Sequence, residues 1–372
     1  MKISIVVHNL NGGGAEKMMV RLANALANLG EEVSLVLLTE GGINKSYVNE
    51  DVSLIELKSS RTAAALPNLR KYLKTNKPEK ILAALTHVNV IAILACLSLG
   101  IQKKLFVSER NAFSLDKYAS NEALVRVAYF VAPWLYRFHS NPVIAVSKGV
   151  AQDLVDTTIV NQASVTNAPN PVLDDDFLDK HYKSPTHPWL LNKTIPTLVA
   201  TGRLAPQKGF DFLLTALKQV NEQIECRLVI FGEGELRKEL EQQITRLKLN
   251  DKVSLPGYVT EPLNEMAAAD LFVLSSRFEG SPNVLVEAMS TGVKVLATNC
   301  PHGPYEILKA GDIGFITETE SADAISHSII KALSQTDYDK SAQLEQAKLY
   351  TSRSSALAYR DILINGQSRY EA

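Results

Sequence analysis

Residues 271–298 read LFVLSSRFEGSPNVLVEAMSTGVKVLAT, and the punctuation of this stretch decides the fold. Leu271, Phe272, Val273 and Leu274 form a short, continuous apolar run, as expected of a strand covered on both faces. Ser281 is placed to cap a helix, and Pro282 suits the first helical position, where its missing N–H costs nothing. Val284, Leu285, Ala288 and Met289 then recur at helical spacing, and Gly292 stops the helix. Residues 293–297 return to an apolar strand. Strand, loop, helix, turn and strand in this order are the unit of an α/β domain.

The same stretch carries two carboxylates. Glu279 falls in the loop before the helix, and Glu287 about two turns into it, on a face away from Leu285 and Met289. Gly280 lets backbone approach a ligand closely, and the helix N-terminus is a ready anion site. Two carboxylates beside an anion cradle suit a ligand with both hydroxyls and phosphates, which describes a nucleotide sugar.

The spacing of Glu279 and Glu287, with seven residues between them, resembles the paired-glutamate motif of the family 4 retaining glycosyltransferases. FEGSPNVLVEAMSTGVKVLAT is similar to that family through loop, helix and strand. The resemblance implies the GT-B fold: two Rossmann-like domains facing across a cleft, with a C-terminal helix crossing back to the first. It implies a metal-independent, retaining transferase whose donor is a nucleoside-diphosphate sugar, UDP-linked, and which needs no cofactor. The donor would bind mainly on the second domain and the acceptor on the first. Glu279 would hold the sugar hydroxyls and Glu287 the ribose hydroxyls, with Gly280, Ser281, Asn283 and Val284 lining the donor between them.

Length and composition agree with two ordinary globular domains. The chain has 372 residues, 46% hydrophobic and 21% charged, which is too long for one typical core. Its net charge of −1 argues against a nucleic-acid partner. Residues 1–170 hold 18 Lys+Arg against 13 Asp+Glu, and residues 171–372 hold 21 against 27, so the basic excess lies in the first half. Cys96, Cys226 and Cys300 are scattered without a CxxC, which fits a reducing compartment and supports neither disulfides nor zinc. The apolar run near the N-terminus is too short for a signal peptide. Residues 81–101 are long enough to suggest a membrane span, but Thr86, His87 and Asn89 interrupt them, so a buried strand and helix explain them better. These features describe a cytoplasmic protein.

Taken in order, residues 2–7 form a strand, and NGGGAE with Gly12, Gly13 and Gly14 opens a helix that ends near Leu29. This is the start of a Rossmann-like domain, although Lys17 stands where a third dinucleotide-fingerprint glycine would be. The glycine loop is similar to the one that meets the donor diphosphate in family 4, which assigns Gly13 and Gly14 to the donor. Strands follow at 80–85 and 105–108, with a helix at 89–99 between them. The SERN stretch, residues 108–111, stands where many relatives carry a histidine, so no catalytic histidine is carried over. His8 and His87 are candidate pocket residues. A polar, proline-containing segment at 174–193 sets the domain boundary, giving 1–190 with the terminal helix 354–372, and 191–353.

The second domain opens with a strand at 195–201, then Gly202, Arg203 and a loop reaching Lys208 before a helix. Arg203 and Lys208 beside a helix N-terminus make a sensible diphosphate clamp. Gly257, Tyr258 and Val259 resemble the family segment whose backbone meets the nucleobase. The residues expected to act on the reacting bond are therefore Glu279, Arg203 and Lys208. A nucleotide-sugar epimerase or a non-catalytic nucleotide-sugar-binding protein on the same fold is the alternative.

NCPHGPYEIL, residues 299–308, and the SER stretch resemble bacterial transferases that build surface polysaccharides or lipid-linked oligosaccharides, which implies a glycan or lipid-linked acceptor. Arg61, Arg70, Lys71, Lys74, Lys77, Lys80, Lys103 and Lys104 face only Glu79 between residues 61 and 104. The apolar stretch 124–138, which suits a core helix or an interfacial one, follows in the same domain. A basic face beside an amphipathic helix suits docking on an anionic membrane, peripheral on its inner face.

Overall fold

Apolar runs too short to be helices become strands of two separate, wholly parallel sheets. The computed structural model describes residues 1–11, 13–115 and 123–366; Gly12 of the glycine loop lies outside them. The first sheet holds β1 (Lys2–Val7), β2 (Glu32–Leu37), β3 (Ser53–Glu56), β4 (Lys80–Ala84), β5 (Leu105–Glu109), β6 (Val143–Ala145) and β7 (Val165–Asn167). Its order is β3-β2-β1-β4-β5-β6-β7. The second holds β8 (Thr197–Thr201), β9 (Arg227–Phe231), β10 (Val253–Gly257), β11 (Leu271–Leu274), β12 (Val295–Thr298) and β13 (Phe315–Thr317), in the order β10-β9-β8-β11-β12-β13.

Each sheet is covered on both faces, which is why its strands read as unbroken apolar runs rather than as alternating ones. In the first sheet, Val6, Val36, Ile81, Ala83 and Val107 enter one core cluster, whereas Ile5, Val7, Leu35, Leu37 and Leu82 enter another. The first cluster packs under helices α2 (Leu66–Asn76), α3 (Thr86–Leu99) and α4 (Ala123–Arg137), and the second under α1 (Gly14–Asn28). The terminal helix Ser352–Asn365 places Ala356, Tyr359, Ile362 and Leu363 in that second cluster. It thus returns to the first sheet, as expected. The helical pattern expected across 340–364 is broken. Ser341–Ala347 ends, a single tight turn Lys348–Tyr350 follows, and Thr351 restarts the chain by accepting the Ser354 N–H at 3.2 Å.

The chain divides into two compact units, Met1–Asp175 with Leu349–Ala372 and Asp176–Lys348. The division falls earlier than the expected boundary at 190 because the polar segment is tied into the second unit. Glu265, fully buried, accepts the backbone N–H of Thr186 at 2.6 Å and of His187 at 3.3 Å, and the Tyr182 hydroxyl donates to the Ser290 carbonyl. Composition marks the polar stretch but not these buried hydrogen bonds.

Candidate active site

In the second sheet, β8 leads to β9 on one side, while β11 and β12 continue on the other. The strand order reverses between β8 and β11, and a ligand crevice opens at the C-terminal ends of strands at such a point. The loop leaving β8 and the loop leaving β11 are laced together there. Arg277 N–H donates to the Gln207 carbonyl at 2.8 Å, Gln207 Nε2 to the Phe278 carbonyl at 3.0 Å, and Ser275 Oγ to the Lys208 carbonyl at 2.8 Å. Gly209 makes this approach possible. Its φ is +61°, and a Cβ there would lie 2.1 Å from the Ser275 carbonyl oxygen. No other residue fits without moving the loops.

The lacing brings Lys208 to Glu279. Lys208 Nζ lies 2.6 Å from Glu279 Oε1, and the Ser276 hydroxyl donates to the same oxygen at 2.5 Å. Ser276 is held in turn, its carbonyl accepting the Thr298 hydroxyl at 2.6 Å. Glu279 is 6% exposed, and its backbone N–H reaches the Pro301 carbonyl at 3.2 Å. Its second oxygen, Oε2, accepts no hydrogen bond among the described residues. One carboxylate oxygen is thus fixed by the protein and the other is open to a ligand. Cys300, the residue after Asn299 on the neighbouring loop, is buried, and that burial, with the Glu279 charge nearby, pushes its thiol up to about 12. It is not a nucleophile at neutral pH.

Helix α5 (Asn283–Ser290) begins one residue later than a Ser281 cap would set it. Pro282 is the cap and no side chain caps the helix, so the expected Ser281 cap is corrected. The backbone of Pro282 lies at φ −73°, ψ 83°, outside the helical region, and Gly303, at φ +108°, packs close against it, where a Cβ would lie 2.5 Å from Pro282 Cδ. Gly280 is buried, while Ser281, Asn283, Val284 and Glu287 are partly exposed, and Leu285, Val286, Ala288 and Met289 are buried. Glu287 is therefore on the open side of the helix, as its spacing required.

Arg203 follows Gly202, and its backbone is pinned by neighbours: Gly202 N–H bonds the Phe231 carbonyl, and Leu204 N–H the Glu233 carbonyl. Its side chain is exposed and takes no partner among the described residues. Arg203 is thus delivered to the β8 edge but is not joined to the Lys208–Glu279 pair. Gly257 ends β10 at φ +90° and accepts the Gly232 N–H at 2.9 Å. Tyr258 after it is 82% exposed, and Val259 is half-buried. Reading the sequence alone misses Ser276, Thr298 and Gln207, which hold the site rather than front it. The paired serines after β11 and the threonine closing β12 were their only signal.

The first unit has its own reversal, between β1 and β4. His8 follows β1 and His87 opens α3. Their rings meet edge to face at 5.5 Å, and His8 Nδ1 is 2.8 Å from the Thr62 hydroxyl. Burial, then the neighbouring His8, lowers the His87 pKa to about 4, so it is a neutral imidazole at ordinary pH. Gly13 caps α1, and a Cβ there would lie 2.0 Å from Glu16 Oε2; Gly14 begins the helix with open space around it. Beyond β4, buried Glu109 accepts the Thr86 hydroxyl at 2.8 Å and the Asn89 amide at 3.3 Å, and the Tyr136 hydroxyl donates to it as well. This network occupies the SERN position noted in the sequence.

Comparison with known proteins gives one answer along the whole chain. The family model described as glycosyl transferases group 1 matches residues 187–348, and that described as glycosyltransferase family 4 matches residues 12–175. An uncharacterized glycosyltransferase of Methanocaldococcus jannaschii is 36% identical over 137 residues, which cover 37% of this chain and 32% of that protein. The N-acetylgalactosamine-N,N'-diacetylbacillosaminyl-diphospho-undecaprenol 4-alpha-N-acetylgalactosaminyltransferase of Campylobacter jejuni is 26% identical over 367 residues, covering 93% of this chain and 94% of that one. The structure of HepE from Anabaena in complex with UDP is similar in fold, with a TM-score of 0.71 at 22% identity over 98% of this chain and 96% of that one. With two parallel Rossmann-like sheets and both halves matched, the chain belongs to the family 4 glycosyltransferases of the GT-B fold.

Proposed function

We propose that the chain moves a sugar from a nucleoside-diphosphate sugar, UDP-linked, to a glycan or lipid-linked acceptor, with retention at the anomeric carbon. The reaction would serve assembly of a bacterial surface polysaccharide or a lipid-linked oligosaccharide. The Lys208–Glu279 pair at the second sheet's reversal point carries this reading. In the reaction the bond from anomeric carbon to phosphate oxygen breaks, its electrons leave with the diphosphate, and the acceptor oxygen bonds the carbon as its hydroxyl loses a proton. Negative charge therefore grows on the leaving group, where Lys208, Arg203 and the N-terminus of α5 would stabilise it. Those cations belong to the chain, so the reading needs no resident metal. Glu279 Oε2 would accept a sugar hydroxyl, Glu287 the ribose hydroxyls, and the backbone about Gly257, Tyr258 and Val259 the base.

Support for the acceptor comes from the Campylobacter relative, whose name specifies a diphospho-undecaprenol substrate, and support for UDP from HepE, solved with UDP. No helix of the described residues is long and apolar enough to cross a membrane. A lipid-linked acceptor would be met at the membrane surface. The test is a thermal-shift screen of nucleotide sugars followed by transfer to lipid-linked acceptors, with the anomeric configuration of the product read by NMR. A ligand at 100 times its Kd adds about 2.7 kcal/mol. Stabilisation by UDP-sugars and an α-linked product from an α-linked donor are expected, in the presence of EDTA as in its absence. An inverted product, or isomerised donor without acceptor, would overturn the reading.

A further inference from the structure

The face of the first unit formed by α2, α3 and α4 carries two features that sugar transfer does not use. One is a groove of about 690 Å3 walled by five cations, Arg70, Lys71, Lys74, Lys77 and Lys104. No acidic residue lines it, and none of the five makes an ion pair among the described residues. Leu73, Leu99 and Ile101 make its apolar floor. Lys77 lies three residues before the start of β4 and Lys104 directly precedes β5, so this end of the groove lies at the N-terminal edge of the sheet. Substrates of such sheets bind at the opposite edge, where His8 and His87 lie. The groove is therefore not a reactant site.

The other feature is the outer face of α4. Val127, Phe130, Trp134 and Phe138 fall at helical spacing and are 56%, 72%, 56% and 79% exposed, while Tyr129, Ala132 and Tyr136 on the opposite face are buried. Leu94 and Leu97 of α3 are exposed as well. The end of α4 lies beside the groove's basic rim, because Asn141 Nδ2 donates to the Lys103 carbonyl at 3.0 Å and His139 Nε2 bonds the Leu105 carbonyl at 2.9 Å. Single exposed apolar residues are ordinary; a row of large ones bordered by cations that make no ion pair marks a surface that is covered in use. The pairing of charge with depth selects the cover: lysines reach anionic headgroups while aromatic rings sit at the acyl boundary.

We propose that this face docks on a bilayer of anionic phospholipid, with the groove holding a headgroup phosphodiester and the α4 row entering the interface. The proposal rests on the lipid-linked acceptor reading but is tested apart from it. The chain has two tryptophans, Trp134 and Trp189. Trp189 belongs to the second unit and stacks on Arg227 at 4.9 Å. In a Trp189→Phe protein, emission reports Trp134 alone. Vesicles of phosphatidylglycerol and phosphatidylcholine should shift that emission to the blue and float the protein at low salt, whereas pure phosphatidylcholine should bind at least ten-fold more weakly.

Lys71→Glu with Lys74→Glu and Lys77→Glu should reduce flotation at least ten-fold, and so should Phe130→Ser with Phe138→Ser. Both variants should melt as the parent does and transfer sugar to a water-soluble acceptor. Free glycerol phosphate at millimolar concentration should not displace the vesicles. Equal binding to neutral and anionic vesicles, an unshifted Trp134, displacement by free phosphate, or burial of the row in a dimer would each overturn the proposal. A chain that transfers sugar yet ignores vesicles contradicts this inference alone; one that binds vesicles and transfers nothing contradicts the enzymatic reading.

Discussion

Lys208 and Glu279 meet at 2.6 Å where the strand order of the second sheet reverses, their side chains only 17% and 7% exposed. The lysine arrives from the loop after β8 and the glutamate from the loop after β11, so the pair joins the two halves of the sheet at its ligand edge. In the proposed reaction, cation and carboxylate would be in place before the donor arrives, which would spare reorganisation when the leaving group takes up charge.

Breaking this pair from one side should cost more than removing both charges. Lys208→Met leaves a largely buried carboxylate without its cation, at roughly 3 kcal/mol, toward the low end for buried pairs because the lysine keeps some solvent. Lys208→Met with Glu279→Gln should regain at least about 1 kcal/mol. Urea unfolding of the two single variants and the double variant measures this. Strict additivity would mean that the pair contributes nothing.

Ser276→Ala tests whether the fixed oxygen of Glu279 matters. The hydroxyl donates to a charged group, a bond worth about 1.5–3 kcal/mol, and the neighbouring Thr298 remains. Turnover should fall roughly ten-fold or more with little change in donor KM, since misalignment is felt most at the transition state. A rise in KM at constant turnover would make Ser276 a binding residue only.

Much of this arrangement was legible in the residues. The apolar run of β11, the helix carrying Glu287 and the loop carrying Glu279 follow from periodicity and from glycine and proline. The family resemblance supplied the roles. What the residues did not disclose has physical causes. β3 and β7 are short, only partly buried strands, and their stability comes from neighbours distant in sequence. The late start of α5 goes with a non-helical Pro282, packed against Gly303 of a separate loop, a contact that local capping preferences cannot foresee. The apolar stretch at 124–138 suited a core helix or an interfacial one. Its structure has a buried face and an exposed apolar one.

His87 gives a pH dependence of defined sign. Its folded pKa, about 4, lies below the ordinary 6.5, so between those values the unfolded chain binds the proton more readily. Stability then rises with pH across about 4 to 6.5 and is lost as the solution is acidified through that window. His87→Asn should flatten this slope, removing up to roughly 3 kcal/mol of the difference. His139 and His187, also lowered by burial, act in the same direction and remain in the variant. A variant with the slope of the parent would show that His87 is not buried neutral.

Glu287→Ala should weaken the sugar nucleotide and the free nucleotide alike, by about 1.5–3 kcal/mol, because the ribose is common to both. Calorimetric titration with UDP and with the donor decides it. Unchanged affinity for UDP would remove Glu287 from the ribose.

The most direct test of the account is the turnover of Lys208→Met with a UDP-sugar donor and lipid-linked acceptor, measured beside its Kd for UDP. Loss of a preorganised charge at the leaving diphosphate predicts a fall in kcat of about 100- to 1,000-fold, with UDP affinity reduced far less. A kcat within three-fold of the parent, in a variant that is folded and saturated with donor, would contradict the assignment of Lys208 to the departing diphosphate.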